Sequence, residues 1–372
     1  MSYVIDRIKK NKVTNTFILY IDEDSDSCSS DVVCNLKCLH CYYRYSSKKF
    51  KQYEKIKEEI DLAILRGTDH IQITGGEPTI YPEFFKTIKY IKSKNLFCSV
   101  ITNAVKLANV DFVKQSKKYI DYFLCSCHAG NEKTMTKITQ NPNSWNSVFK
   151  AFENLDKNNI EFHINFTIMS LNHLQLKKLV QKLLNYNMFK RINIITFNPW
   201  ESLEEHSSTE DISTLLVSYD KMYNVINDAL KLAKENGVEV AVRYFPFCKI
   251  PKWLYKYNFN YTTEILDFNE WNFEMWMPKE FYALSPKLHQ ISQKLHLDGS
   301  LQQRLSHAFS LSFYGFRKEF KVLEECKECK LRFICNQPHK DYVKKFPNMK
   351  FDKLTGDYIL DAGYYIKMNN TN

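Results

Sequence analysis

His70-Ile71-Gln72-Ile73-Thr74-Gly75-Gly76-Glu77-Pro78 is a β-prone run that ends in two adjacent glycines and a proline. Such a run reads as a strand stopped by a sharp turn, and an amphipathic stretch over about 82 to 94 continues it as a helix. Outward in both directions the same alternation recurs. Strands are predicted over Thr16-Ile21, His70-Ile73, Phe97-Thr102, Ile120-Ser126, Glu161-Ile168 and Arg191-Phe197. Helices are expected over about 51 to 66, 82 to 94, 109 to 117, 144 to 158, 172 to 187 and 210 to 236. Repeated βα units build a parallel sheet, so the fold class is α/β, a partial (βα)6 TIM-like barrel. Functional groups in such sheets collect at the C-terminal strand ends. Cys34 to Cys41, Gly75-Gly76, Asn103, Ser126 and Pro199 all fall there.

After the turn Asn236-Gly237 come a short strand, Val238-Arg243, and an aromatic-rich stretch without repeats. The expected organisation is a barrel over 1–236, a small second domain over 237–345, and a tail over 346–372 that closes with Met368-Asn369-Asn370-Thr371-Asn372 and frays. With 372 residues and 44% hydrophobic composition the chain can bury one large core or two modest ones. No stretch approaches the roughly 18 to 20 apolar residues of a membrane span, and Met1-Ser2-Tyr3-Val4-Ile5-Asp6 lacks a secretory apolar region. The expected compartment is cytoplasmic, with no membrane partner. There, eleven cysteines are expected to serve ligation rather than structural disulfides. The net charge of +10 is spread over helix faces, as in Lys48-Lys49-Phe50-Lys51 and Lys177-Lys178, so a solvated surface is expected and nucleic acid is not an expected partner.

Cys34-Asn35-Leu36-Lys37-Cys38-Leu39-His40-Cys41 places three thiols in eight residues of loop. Three thiolates can hold three irons of a cubane and leave the fourth open to a small chelating ligand. A zinc knuckle is the competing reading; it needs a fourth ligand, and His40 lies too close to Cys41 for easy chelation. Gly75-Gly76 ends its strand without side chains, letting backbone carbonyls approach an ammonium group, and Pro78 redirects the chain.

Cys-x3-Cys-x2-Cys after the first strand, with Gly-Gly-Glu-Pro after the second, resembles the radical S-adenosylmethionine (SAM) superfamily. The resemblance implies that Cys34, Cys38 and Cys41 hold a catalytic 4Fe-4S cluster. SAM would chelate its open iron and, cleaved reductively, give a 5'-deoxyadenosyl radical that abstracts hydrogen from substrate. Gly75, Gly76, Glu77 and Pro78 are carried over to the cofactor-binding set, with Glu77 expected to hold the loop rather than touch ligand. His40 joins them. Ile101-Thr102-Asn103-Ala104 is similar to the family's Thr-Asn-Gly, with alanine replacing glycine, which adds Asn103. Ser126 and Asn165 complete the set, Asn165 having a satisfied core amide as its equal alternative. Cys125 and Cys127 are expected as packed small hydrophobes, and Cys28 and Cys98 have no assigned role. Asp22-Glu23-Asp24-Ser25-Asp26 lacks a calcium loop's glycine and closing glutamate, so it reads as a solvated loop.

Cys326-x2-Cys329-x5-Cys335 with the distant Cys248 resembles the auxiliary-cluster region of the SPASM and twitch subclasses, implying a second 4Fe-4S cluster; all-cysteine zinc is its competitor. The expected substrate is a peptide, with a small-molecule dehydrogenase or epimerase reaction as alternative. A cysteine-rich zinc protein binding nucleic acid is the alternative outside enzymes. The reaction implies a flavodoxin- or ferredoxin-like electron donor. Tyr43, His128, Arg243 and His339 are candidates on the substrate side. Most of the 23 tyrosines and 26 phenylalanines are expected in the core.

Overall fold

The chain enters its sheet at β1 (Thr16–Tyr20) and at once makes a separate ribbon, β2 (Asp22–Asp24) with β3 (Lys48–Phe50). There follow α1 (Tyr53–Leu65), β4 (His70–Thr74), α2 (Phe84–Ser93), β5 (Phe97–Thr102), α3 (Val110–Ser116), β6 (Tyr122–Ser126), α4 (Glu132–Thr139), α5 (Ser144–Lys157) and β7 (Glu161–Ile168). Then come α6 (Leu176–Leu183), β8 (Phe189–Thr196), α7 (Tyr219–Glu235), β9 (Glu239–Arg243), β10 (Asn258–Phe259), α8 (Glu324–Lys327), α9 (Lys340–Lys345) and α10 (Tyr364–Lys367). This computed structural model describes residues 16–24, 33–41, 48–65, 68–197, 212–259, 320–359 and 364–367. Cys28, Tyr43, Pro199 and Met368 to Asn372 lie outside the described residues.

The sheet order is β1-β4-β5-β6-β7-β8-β9-β10, so apart from the ribbon it follows chain order, and every pairing is parallel. Parallel neighbours need a crossover, and α1 to α7 supply the crossovers from β1 through β9. The predicted α/β partial barrel forms. Six strands are each followed by helix, and β9 and β10 continue the same sheet past residue 236. The helix α4 and the strand β10 have no counterpart in the sequence pattern, both being too short for a clear period.

Alternation sorts the two faces. Along β7, Phe162, Ile164, Phe166 and Ile168 are buried against the helices, while Glu161, His163, Asn165 and Thr167 lie on the open face. Phe162 stacks on Phe152 of α5 with centroids 4.9 Å apart. α6 turns Leu176, Leu179, Val180 and Leu183 inward at helical spacing. The open face is polar and ties neighbouring strands together. Thr16 Oγ1 lies 3.0 Å from His70 Nδ1, and His70 Nε2 lies 2.8 Å from Ser99 Oγ. Gln72 donates to Ser99 and to the Tyr122 hydroxyl, both at 3.2 Å, and Tyr122 stacks on His163 at 4.2 Å.

The ribbon corrects one sequence reading. Asp22 to Asp24 is not solvated loop: it is a strand paired with Lys48–Phe50, and Asp22 is buried. Ion pairs of Glu23 with Lys49 and Lys55 add to the backbone pairing, which local sequence could not reveal. Among the described residues no helix is long and apolar enough to cross a membrane.

Phe162→Ala removes a fully buried ring from the sheet-helix core and is expected to lower stability by about 3 to 5 kcal/mol, read from urea unfolding midpoints.

Candidate functional site

The ribbon clips together the two ends of the segment that bears the first three thiols. Within it, Lys37 and Leu39 donate backbone N–H groups to Thr139 O (3.3 Å) and Ile138 O (2.9 Å), so the loop hangs on the C-terminal end of α4. A turn closes where Cys41 N donates to Cys38 O at 3.1 Å. Cys34, Cys38 and Cys41 are all half-buried. Cys34 Sγ accepts from Leu36 N at 3.5 Å and from Asn103 Nδ2 at 3.8 Å, and Asn103 also donates to Asn35 at 2.7 Å. Burial pushes the Cys34 thiol up to about 12, with the charges of Glu77 and Cys41 adding to it. Among the described residues no three Cys, His, Asp or Glu side chains close on a single-ion position. A cubane does not ask for that, since its thiolates bind separate irons.

Gly75 and Gly76 meet this loop from β4. Gly75 has φ of +134°, and a Cβ there would stand 2.0 Å from Asp22 Oδ1. At Gly76 a Cβ would stand 2.3 Å from the Val33 carbonyl oxygen. Asp22 Oδ1 accepts from Gly76 N at 3.0 Å, and Glu77 N donates to Val33 O at 2.8 Å. The glycines therefore let the chain's own Asp22 and Val33 come close, a constraint that sequence reading had assigned to ligand approach. Asp22 is the site residue that sequence reasoning missed; the signal was the glycine pair itself, which demands a close neighbour.

Glu77 is buried and acts as a hub. Its Oε1 accepts from Thr79 N (3.0 Å), Thr79 Oγ1 (2.5 Å) and Thr102 Oγ1 (2.7 Å), and its Oε2 from Asn103 N (2.6 Å). Burial raises its pKa, and these donors oppose that rise. Pro78 begins a short 3-10 turn that Glu77 caps, as the missing N–H of proline permits. Ala104, where the family pattern has glycine, has φ of +64°, the left-handed region that glycine adopts freely.

His40 and His128 pack edge to face with ring centroids 4.5 Å apart. His40 Nδ1 is buried with no hydrogen-bond partner, and burial pulls the ring's pKa down to about 4. His128 Nδ1 accepts from Thr167 N at 3.1 Å; burial, then His40, hold its pKa well below the usual range. Ser126 ends β6 opposite Asn165, whose Oδ1 accepts from Asn193 at 3.0 Å. Arg243 ends β9 beside the Tyr244 ring, and His339 is buried at the start of α9. Cys98, Cys125 and Cys127 are buried in the core.

The second thiol set comes together from distant chain segments. Cys335 is held close enough to Cys326 and Cys329 for their charges to raise its pKa, and Cys248 is raised by Cys335 and Cys326. Burial is the larger cause, taking Cys248 and Cys335 to about 12. Two of the four sulfurs have backbone N–H donors. Gln337 N reaches Cys335 and Leu354 N reaches Cys329, both at 3.5 Å. Amide donors at two of the four thiols suit a group that carries negative charge on sulfur, as an iron–sulfur cluster does.

Residues 31–194 match the family model described as the radical SAM superfamily. The chain is 24% identical over 327 residues to the cysteine-type anaerobic sulfatase-maturating enzyme of Clostridium perfringens, covering 81% of this chain and 84% of that protein. It is 28% identical over 118 residues to the S-adenosylmethionine-dependent nucleotide dehydratase of Flammeovirga pacifica, covering 30% of this chain and only 40% of that relative's length. The solved structure of native anSMEcpe with bound AdoMet and Kp18Cys peptide shares the fold over 95% of both chains, at 18% identity and a TM-score of 0.54.

Gly75→Ala is expected to lose more than about 1 kcal/mol of stability, through contact with Asp22 and the left-sided φ, measured by thermal unfolding. His128 is held neutral in the folded state, so the unfolded chain binds the extra proton. Its stability contribution is complete above the unfolded value of about 6.5 and falls as pH drops below it. Urea midpoints measured downward from about pH 7 should therefore decline less steeply in His128→Gln than in the parent.

Proposed function

We propose that this chain, which belongs to the radical SAM superfamily, modifies a peptide or protein substrate. As an enzyme of that family it uses a 4Fe-4S cluster and SAM. The reading is carried by one observation: the three-thiol loop and the Gly-Gly-Glu-Pro turn are bonded to each other at one rim of the sheet, through Glu77 N to Val33 O and Asn103 to Cys34. Cys34, Cys38 and Cys41 would hold the catalytic cluster, and the donor set fits, being three half-buried thiols with one already receiving amide N–H bonds. Together, cluster and SAM supply a 5'-deoxyadenosyl radical able to take hydrogen from substrate.

The chain's own part is placement. Asp22 and Glu77 fix the turn from below, so that the Gly75 and Gly76 backbone faces the rim in one conformation. His40, Asn103, Ser126 and Asn165 are the remaining candidates around the cofactor; Asn103 ties its strand end directly to the thiol loop. Cys248, Cys326, Cys329 and Cys335 would hold the second, auxiliary 4Fe-4S cluster in the region after residue 236, supported by the N–H donors at Cys329 and Cys335. Four thiolates leave that cluster no open iron, so its role is electron acceptance or structural support. The reductant is a flavodoxin- or ferredoxin-like protein, and the compartment is the cytoplasm, which keeps the thiols reduced.

A peptide substrate is supported by the length of the match to the sulfatase-maturating enzyme and by the peptide bound in anSMEcpe. A small-molecule substrate is the second reading, favoured by the shorter match to a nucleotide dehydratase.

Iron and sulfide analysis with electron paramagnetic resonance on anaerobically reconstituted protein tests the proposal. About eight irons per chain are expected, falling to about four in the Cys34→Ala/Cys38→Ala/Cys41→Ala variant with loss of 5'-deoxyadenosine formation. Protein without iron and without SAM cleavage would sink it.

A further inference from the structure

On the open face of the sheet an arginine and two asparagines are bonded in series. Arg191 Nε donates to Asn193 Oδ1 at 2.9 Å, and Asn193 Nδ2 donates to Asn165 Oδ1 at 3.0 Å. The direction of the series is forced from one end. A guanidinium has only N–H groups to offer, so Asn193 must turn its oxygen to Arg191 and its N–H groups to Asn165. Asn165 must then answer with its own oxygen, which leaves its N–H groups on the side away from Asn193. Arg191 is held in turn, its guanidinium carbon 5.5 Å from the centroid of the Phe259 ring on β10. Asn193 is buried, while Arg191 and Asn165 are half-buried.

Strand register carries this series to the rim that bears the thiol loop. Asn193 pairs with Asn165, Asn165 pairs with Ser126, and Thr102 pairs with Cys125, so that Asn103 and Ser126 follow side by side. Asn103, Ser126, Asn165 and Asn193 therefore form one row across four neighbouring strands, on one face by alternation. The row begins at Asn103, which bonds Cys34 and Asn35 of the thiol loop. Among the described residues the N–H groups of the Asn165 side chain and the Ser126 hydroxyl make no hydrogen bond. A core amide spends both of its ends inside the protein. Asn165 spends only its oxygen there, and its donors are left beside Ser126.

We infer that Arg191, acting through Asn193, is a positioning residue of the cofactor site: it holds Asn165 with its N–H groups presented to the rim, where they donate to an acceptor atom of bound SAM. This rests on the proposed SAM site beside Asn103. A side-chain amide can turn over and exchange its two ends, so the polarity that SAM meets is set by the arginine two strand positions before Asn193 and not by Asn165 alone.

The test is SAM affinity by equilibrium dialysis, on the full chain reconstituted anaerobically and without reductant or substrate. A parent that takes up no iron, or that holds iron and does not bind SAM, would overturn the proposed function and the inference together. Asn193→Asp separates the two. Its carboxylate still accepts from Arg191 but cannot donate, so Asn165 turns over, gives its N–H groups to that carboxylate and presents oxygen to the rim. SAM binding is expected to weaken roughly tenfold, with iron content and urea midpoint kept. Unchanged affinity, or a loss that only follows lost iron or a lowered midpoint, would overturn the inference alone. Asn165→Asp keeps the bond from Asn193 and replaces only the other end by oxygen, so it should weaken binding to a similar degree. Should Asn193→Asp not fold, this second variant decides by the same outcomes. Arg191→Lys, which still offers only N–H groups, should bind SAM more tightly than Arg191→Met, in which the two amides can turn. Equal affinity in that pair would overturn the part given to Arg191.

Discussion

The buried carboxylate of Glu77 accepts four hydrogen bonds, and through them three separate pieces of chain acquire one geometry. Two donors come from the turn that follows it and two from the end of β5, while its own N–H holds the stretch that leads into the thiol loop. A carboxylate taken out of water is costly unless it is saturated with donors, and this one is. Its two oxygens are used by the protein itself, which makes it a rivet for the strand ends rather than a group that reaches outward. The position of Asn103, and with it the N–H contact to Cys34, follows from that rivet.

Much of this was legible in the sequence. Strands β5 and β7 fall on their predicted bounds because their β-prone runs are flanked by turn residues, and the strand-end rim follows from parallel topology alone. Glu77, expected to hold the loop, accepts four hydrogen bonds from the turn and the end of β5. Asp22 was not legible. It lies in an acidic run of five polar residues, and nothing local distinguishes the one carboxylate that turns inward to a backbone N–H some fifty residues away in sequence. The glycines were read as letting backbone carbonyls approach a ligand; on the side where a Cβ would stand, the chain's own Asp22 and Val33 come close. Helix α4 escaped because eight residues show little periodicity, although its last turn is what the thiol loop hangs on.

The two thiol sets differ in how the backbone serves them. The first lies on one short loop, so its three sulfurs share a single segment that bonds through Lys37 and Leu39 to the end of α4. The second draws on residues nearly ninety positions apart, and two of its sulfurs, those of Cys329 and Cys335, accept from backbone amides. In both, burial keeps thiols protonated: Cys34, Cys248 and Cys335 are each pushed up to about 12. A cluster at either set would have to displace those protons, which would make its loading more favourable as pH rises.

Sheet order follows chain order, and that has a consequence for how the molecule is made. Each strand of the main sheet pairs with the one before it in that sheet, so the scaffold of the thiol loop is built from the early part of the chain. The scaffold of the thiol loop, from Asp22 through Gly76 and Asn103 to Thr139, is finished well before Cys326 has been synthesised. The second site draws on Cys248 and on the stretch from Cys326 to Cys335, so its parts lie far later in the chain than those of the first.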